Sequence, residues 1–170
     1  TYPECTEISG YLQIGDFNNP TDITDISGLS SLTSIDEGLD ILYNVDLMTL
    51  GGLENLASIG GRLLIGFNTS LTDLDSLGNL ISLGGSLGID SNDALTDISS
   101  LGNLTSIEGH LSLDSNDGLT SLNGLHNLTS INGLLSITDN DGLTNLSSLE
   151  NLTSINGNLI IRFNAALTSL

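Results

Sequence analysis

The chain has 170 residues, 38% of them hydrophobic, and its 21 acidic residues are opposed by only two Arg and no Lys. The resulting formal charge of −19 argues against nucleic acid and anionic membrane surfaces as partners, because both would be repelled. The length fits one domain with a continuous core, no apolar run approaches the ~18 residues of a membrane span, and the regular hydrophobic spacing argues against disorder.

Residues 1–10 do not follow the pattern of what comes after, and include Pro3, Cys5 and two Glu. They are expected to form an N-terminal cap over the open end of a repeating core, as solenoids need for solubility. Cys5 is the single cysteine, so no disulfide can form within the chain. It is either a buried thiol in the cap or the partner of a cysteine elsewhere. A start at Thr1 rather than Met is what removal of a signal peptide from a secreted product would leave.

Residues 11–170 are expected to be repeats, with no C-terminal cap after Leu170. Gly10-Tyr11-Leu12-Gln13-Ile14 is the first copy of a Gly-x-Leu-x-Ile strand, followed by a loop at residues 15–20 that is three residues longer than its later equivalents. From Ile23 onward the spacing is 24. Asn44, Asn68, Asn92, Asn116, Asn140 and Asn164 align, as do Leu47, Leu71, Leu95, Leu119 and Leu143. Ser34, Ser58, Ser82, Ser106, Ser130 and Ser154 form a third column, and Ile41, Ile65, Ile89, Leu113, Ile137 and Ile161 a fourth. A fixed period of this size marks a repeat architecture whose units bury their faces against each other.

Within one unit, Leu135 and Ile137 are two apart, as on one face of a strand. Leu119, Leu122, Leu125, Leu128 and Ile131 are three apart, which is not the spacing of an amphipathic α-helix. That step suits short 3₁₀ turns or extended corners, with Gly124 and Gly133 where a Cβ would be awkward. The expected fold is therefore all-β and parallel: a β-solenoid of about six and a half leucine-rich coils, a rod ~30 Å long at ~4.8 Å per coil.

The pattern Leu-Thr-Ser-Leu-x-Gly-Leu-x-Asn-Leu-Thr-Ser-Ile-x-Gly-x-Leu-x-Ile-x-x-Asn, at residues 119–140, resembles the receptor L-domain repeats of microbial surface proteins. It is also similar to leucine-rich repeats, which share Leu-x-Leu-x-x-Asn. The resemblance spans residues 10–170 and implies a leucine-rich solenoid on a secreted or cell-surface protein. It implies little about a ligand, since the shared residues are structural.

The Asn column reads as a polar ladder bonding backbone groups and its own copies one coil away. The Ser column reads as hydroxyls that satisfy backbone in a bend. Acidic turns recur at Asp90, Asp93, Asp114, Asp117, Asp139 and Asp141. Asp93, Asp117 and Asp141 share a column, and like charges at coil spacing repel by roughly 1 kcal/mol in water. Two readings stand: a solvated acidic edge, or a weak Ca²⁺ site. Val45, Thr69 and Ala165 interrupt the column, and no closed ligand set is evident, so no resident metal or cofactor is expected.

Asn103, Asn127, Asn145 and Asn151 are the candidate N-glycosylation sites. Asn68 also lies in a sequon but belongs to the inner ladder. Asn55 and Asn79 keep the Asn without an acceptor hydroxyl, so that column serves the fold.

The outward side of the strands is the default binding face of a solenoid. Arg62, Leu64, His110, Ser112, Asp114 and Ser136 are its candidate residues. Tyr43, Phe67 and Phe163 share a column that changes to Ser91, Ser115 and Asp139 between them, which is weak as a sugar-stacking platform. Arg62 and Arg162 are four coils apart, and His110 and His126 occupy different columns, so no catalytic relay has a home. The protein is expected to be no enzyme but an extracellular solenoid with a structural, adhesive or recognition role toward a protein or glycan. The alternative is the subunit of a head-to-tail filament joined through open coil ends. A lesser alternative is ice binding through the column Thr72, Thr96, Thr120, Thr144 and Thr168, which has no second Thr column beside it.

Overall fold

The computed structural model describes residues 5–17 and 23–170. Pro3, and residues 18–20 of the longer first loop, lie outside the described residues.

Seven parallel strands make the main sheet, in strict chain order: Leu12–Ile14, Leu39–Leu42, Leu63–Gly66, Leu87–Asp90, Leu111–Asp114, Leu135–Thr138 and Leu159–Arg162. Leu12 pairs with Leu39, 27 residues on. After that, Leu39 pairs with Leu63, Leu63 with Leu87, and Leu111 with Leu135, each 24 residues on. The architecture is an all-parallel β-solenoid, and the three-residue difference is confined to the first turn. A slip of one residue would carry every apolar column to the solvent side, so the period itself enforces the register.

A second set of two-residue strands runs along another side. Glu7–Ile8, Ser34–Ile35, Ser58–Ile59 and Ser82–Leu83 form one sheet, and Ser106–Ile107, Ser130–Ile131 and Ser154–Ile155 another. The Ser column therefore sits in short strands, not in bends. Their Ile and Leu point inward, and the Ser106 hydroxyl donates to the Glu108 carboxylate rather than to backbone (3.0 Å). Two-residue strands leave no alternation to read, which is why sequence spacing misses them. Glu7 and Ile8 pair in register with Ser34 and Ile35, so the hydrogen-bonded ladder already includes part of the first ten residues.

The three-residue step has a direct cause. Leu125 N–H donates to Leu122 C=O (2.8 Å) and Leu128 N–H to Leu125 C=O (3.0 Å), so the last two inward leucines of the run each hydrogen-bond to the one before. The 3₁₀ turns are Ser27–Leu29, Asp75–Leu77, Ser99–Asn103, Asn123–Leu125 and Ser147–Leu149. Asx side chains open four of them: Asp25, Asp73, Asp97 and Asn145 accept from the N–H two residues on, at 2.7–3.1 Å. Asx residues favour this local bonding, so these three aspartates serve turns.

Inside, Leu47, Leu50, Leu53, Leu56, Ile59, Leu63 and Ile65 are all buried, and the other central coils repeat the arrangement. Fully burying one such side chain is worth roughly 1.5–3 kcal/mol. The Asn ladder closes the polar account at the end of each strand. Asn92 Nδ2 donates to the Ile65 carbonyl (3.0 Å), and its Oδ1 accepts from the backbone N–H of Asn68 (3.2 Å). Asn68, Asn116 and Asn140 repeat both bonds, each buried. An unpaired amide here would cost about 1–3 kcal/mol, and among the described residues no buried side-chain polar atom lacks a partner.

Candidate functional site

Alternation along the main strands turns every second side chain outward. Three outward rows result. The first runs Arg62, Ser86, His110, Leu134, just ahead of the strands. The second is Gln13, Asp40, Leu64, Gly88, Ser112, Ser136, Ile160, and the third Leu42, Gly66, Asp90, Asp114, Thr138, Arg162. The sheet thus brings the candidate residues Arg62, Leu64, His110, Ser112, Asp114 and Ser136 to one face.

One end of this face is tied up by an ion pair. Arg62 Nε donates to Asp40 Oδ1 at 3.0 Å and Nη2 to Oδ2 at 2.6 Å, with a further bond to the Tyr11 hydroxyl at 3.3 Å. The guanidinium lies 5.8 Å from the Tyr11 ring centre. Gly38 stands between them in the row, and a Cβ there would press on the Tyr11 ring; its absence lets Arg62 reach across. The Asp40 hydrogen bonds, then the Tyr11 bond, hold the Arg62 guanidinium above its ordinary value. Burial, and then the hydrogen bond to Asp40, push the Tyr11 hydroxyl up as well. Tyr11 and Asp40 are part of this cluster without being evident from the sequence.

At the centre, Asp90 and Asp114 are register partners. Burial, and after it the Asp114 charge, raise the Asp90 carboxyl to about 6, against hydrogen bonds that favour the charged form. Ser112 donates to Asp90 at 3.3 Å, and the Thr138 hydroxyl donates to Asp114. Beside them His110 Nδ1 accepts the Leu134 N–H at 2.8 Å, which engages it with the backbone of the next coil. His126 sits elsewhere, its Nδ1 against the Asn123 carbonyl.

After each of the six four-residue strands the chain turns through a left-handed residue: Tyr43, Phe67, Ser91, Ser115, Asp139 and Phe163, at φ between 54° and 60°. Tyr43 and Phe67 stack with ring centres 4.5 Å apart and planes 5° apart, and Phe17 meets Tyr43 edge-on at 5.2 Å.

Two residues further on are Val45, Thr69, Asp93, Asp117, Asp141 and Ala165. Asp117 Oδ1 accepts the Asp141 N–H (3.3 Å), and Asp141 Oδ1 accepts the Ala165 N–H (3.2 Å). Backbone donors thus offset part of the repulsion that stacking these carboxylates would create. Ser115, Asp117, Asp139 and Asp141 line a shallow hollow of ≈ 210 Å³. Among the described residues no group of three or more His, Cys, Asp and Glu is arranged to hold a metal ion, and no helix is long and apolar enough to cross a membrane.

The sequon residues divide in two. Asn103, Asn127 and Asn151 donate Nδ2 to the carbonyls of Gly78, Gly102 and His126, each at 2.7 Å. Asn55 and Asn79 make the same bond without being in a sequon. Asn145 instead accepts from Ser147 and gives Nδ2 only to the neighbouring Thr144 hydroxyl (3.1 Å). The Thr column also faces backbone: Thr72, Thr96, Thr144 and Thr168 hydroxyls donate to carbonyls one coil back.

No curated protein matches the chain. A family model described as Receptor L domain matches residues 105–169, so this part of the chain, with its parallel coils, is similar to that family.

Proposed function

We propose that the protein is a non-catalytic recognition or adhesion module working outside the cell or on its surface, with the outward sheet face as its contact surface. One observation carries this reading. The inward columns are rebuilt almost unchanged in every coil, while the outward rows change from coil to coil: Arg62, Ser86, His110 and Leu134 in one, Leu64, Gly88, Ser112 and Ser136 in the next. Residues that the coil does not need are the ones free to serve a protein or glycan partner.

The remaining assignments belong to the same reading. Residues 1–10 cover the first coil, and residues 11–170 present the face. Asn145 is the sequon whose Nδ2 the fold uses least, and so the first choice for a glycan. The match to the Receptor L domain description supports an extracellular setting. The test is a screen of the immobilised protein against protein and glycan arrays, repeated with Ser112→Gln/Ser136→Gln. A ligand that the double variant loses supports the face; one it retains at full strength contradicts it.

A second reading, the head-to-tail filament, is favoured by apolar hollows at both ends of the described coils. Leu135, Leu152, Ile155 and Ile161 line one, and Ile8, Leu12, Leu29 and Leu32 the other. Negative-stain microscopy of the purified chain separates the readings: rods growing with concentration support the filament, and discrete particles at all concentrations oppose it. Ice binding is supported least, because its Thr hydroxyl protons are directed at backbone carbonyls; a thermal-hysteresis assay tests it.

A further inference from the structure

We infer that the corner next to the aromatic ladder is a docking surface for a basic segment of a partner protein, whose arginine stacks on the open face of Phe67 and pairs with Asp93. This rests on the recognition reading above but places a specific contact on a different strip of surface.

All six turn positions after the described four-residue strands have φ of 54–60°. That region suits Gly, Asn and Asp, and bulky side chains least. Ser91, Ser115 and Asp139 show that the turn forms with small or polar residues. Tyr43 and Phe67 hold the same strained turn with large rings, although nothing in the coil needs a ring there.

Next comes what the rings present. Tyr43 covers one face of Phe67. The following rung is Ser91, too short to cover the other, and Phe67 remains 42% exposed. The ladder therefore stops with a ring face open toward the coil that carries Ser91 and Asp93. Beyond it the same corner is acidic, through Asp93, Asp117 and Asp141.

The occupant follows from charge and from the chain's own chemistry. Both guanidiniums of this protein pack on its own aromatics: Arg62 on Tyr11, while paired with Asp40, and Arg162 on Phe163, each 5.8 Å from the ring centre. Phe163 occupies the same turn position as Phe67. Arg62 shows a guanidinium held between a ring and a carboxylate on this solenoid. The chain has no Lys and no third Arg, so a cation at Phe67 must come from another molecule. Guanidinium is preferred over ammonium because its plane stacks on a ring while its fork meets a carboxylate.

Calorimetric titration of the full chain with two synthetic peptides, acetyl-(Gly-Arg)₃-amide and acetyl-(Gly-Lys)₃-amide, tests this at low salt. The Arg peptide is expected to bind about threefold tighter than the Lys peptide, because only the guanidinium can stack on the ring and fork to a carboxylate at once. Phe67→Ser, which installs the residue found at Ser91 and Ser115, should remove that preference and leave the Lys peptide within about twofold. A thermal melt verifies that the variant is folded. Asp93→Asn should weaken both peptides. Equal affinity for the two peptides, no binding of either, or an unaltered preference in Phe67→Ser overturns the inference. Loss of Arg-peptide binding in Ser112→Gln/Ser136→Gln, with Phe67→Ser unaffected, overturns it too, while leaving the sheet-face reading intact.

Discussion

Arg62 grips Asp40 through two hydrogen bonds, 3.0 and 2.6 Å long, and the two are not equally placed: Asp40 is buried while the Arg62 side chain is 56% exposed. The pair is therefore a lid over a buried carboxylate rather than an exchangeable surface contact. Removing the lid leaves a charge with little compensation. Arg62→Met is expected to destabilise the fold by about 2–3 kcal/mol, below the range for fully buried pairs because solvent reaches the site. The double variant with Asp40→Asn should lose distinctly less. Chemical denaturation of the three proteins checks this, and equal losses in single and double variants would contradict it.

The Asp90 carboxyl gives a pH dependence of defined sign. Its folded value is about 6, against about 3.9 in an unfolded chain. Between those values the native state binds more protons, so this group's contribution is full below about pH 4 and declines as pH rises through about 6. The full difference would be near 3 kcal/mol, and partial exposure reduces it to about 1–2 kcal/mol. Asp90→Asn should match the parent protein near pH 4 and exceed it in stability at pH 7. Asp25 and Glu54, lowered by backbone hydrogen bonds, work in the opposite sense as pH falls, so the difference between the two melting curves is the quantity to read.

The Asn ladder should be graded by position. Asn92→Ala strips the Ile65 carbonyl and the Asn68 N–H of their partners and is expected to cost about 3 kcal/mol. Asn164→Ala removes similar bonds at a half-buried end and should cost about 1 kcal/mol. Denaturant midpoints of both variants measure the ratio.

Two glycines in one column should behave differently. A Cβ on Gly124 would land on the Ile98 carbonyl oxygen of the coil before, whereas one on Gly28 would meet nothing. Serine at positions 76, 100 and 148 shows that the column can adjust. Gly124→Ala is therefore expected to cost about 1–3 kcal/mol, and Gly28→Ala less than about 0.5 kcal/mol. Thermal melts of the pair suffice.

Most of the scaffold is legible in the sequence because its cause is local and repeated. Leu119 through Leu128 announce a three-residue step, and the structure supplies its i→i+3 hydrogen bonds. The Asn column reads as a ladder and is one. Less legible is whatever depends on a diagonal neighbour. Tyr11, Asp40 and Arg62 meet only because Gly38 leaves a gap between coils. Asp90 is shielded because Leu64 leans over Gly88 beside it, a placement no spacing rule contains. Phe17 lies one register position past Tyr43 and still meets its ring edge-on.

Residues that hold the coil are distinct from residues that face outward on the proposed contact surface. Asn116 and Ser136 lie on those two sides, one inside the ladder and one on the outer sheet face. Equilibrium unfolding of Asn116→Ala beside Ser136→Gln tests the separation most directly. A loss of about 3 kcal/mol is expected for the first and less than about 0.5 kcal/mol for the second. A loss in Ser136→Gln as large as that in Asn116→Ala would mean that the outer face is itself part of the packed fold, and would contradict its assignment as the binding surface.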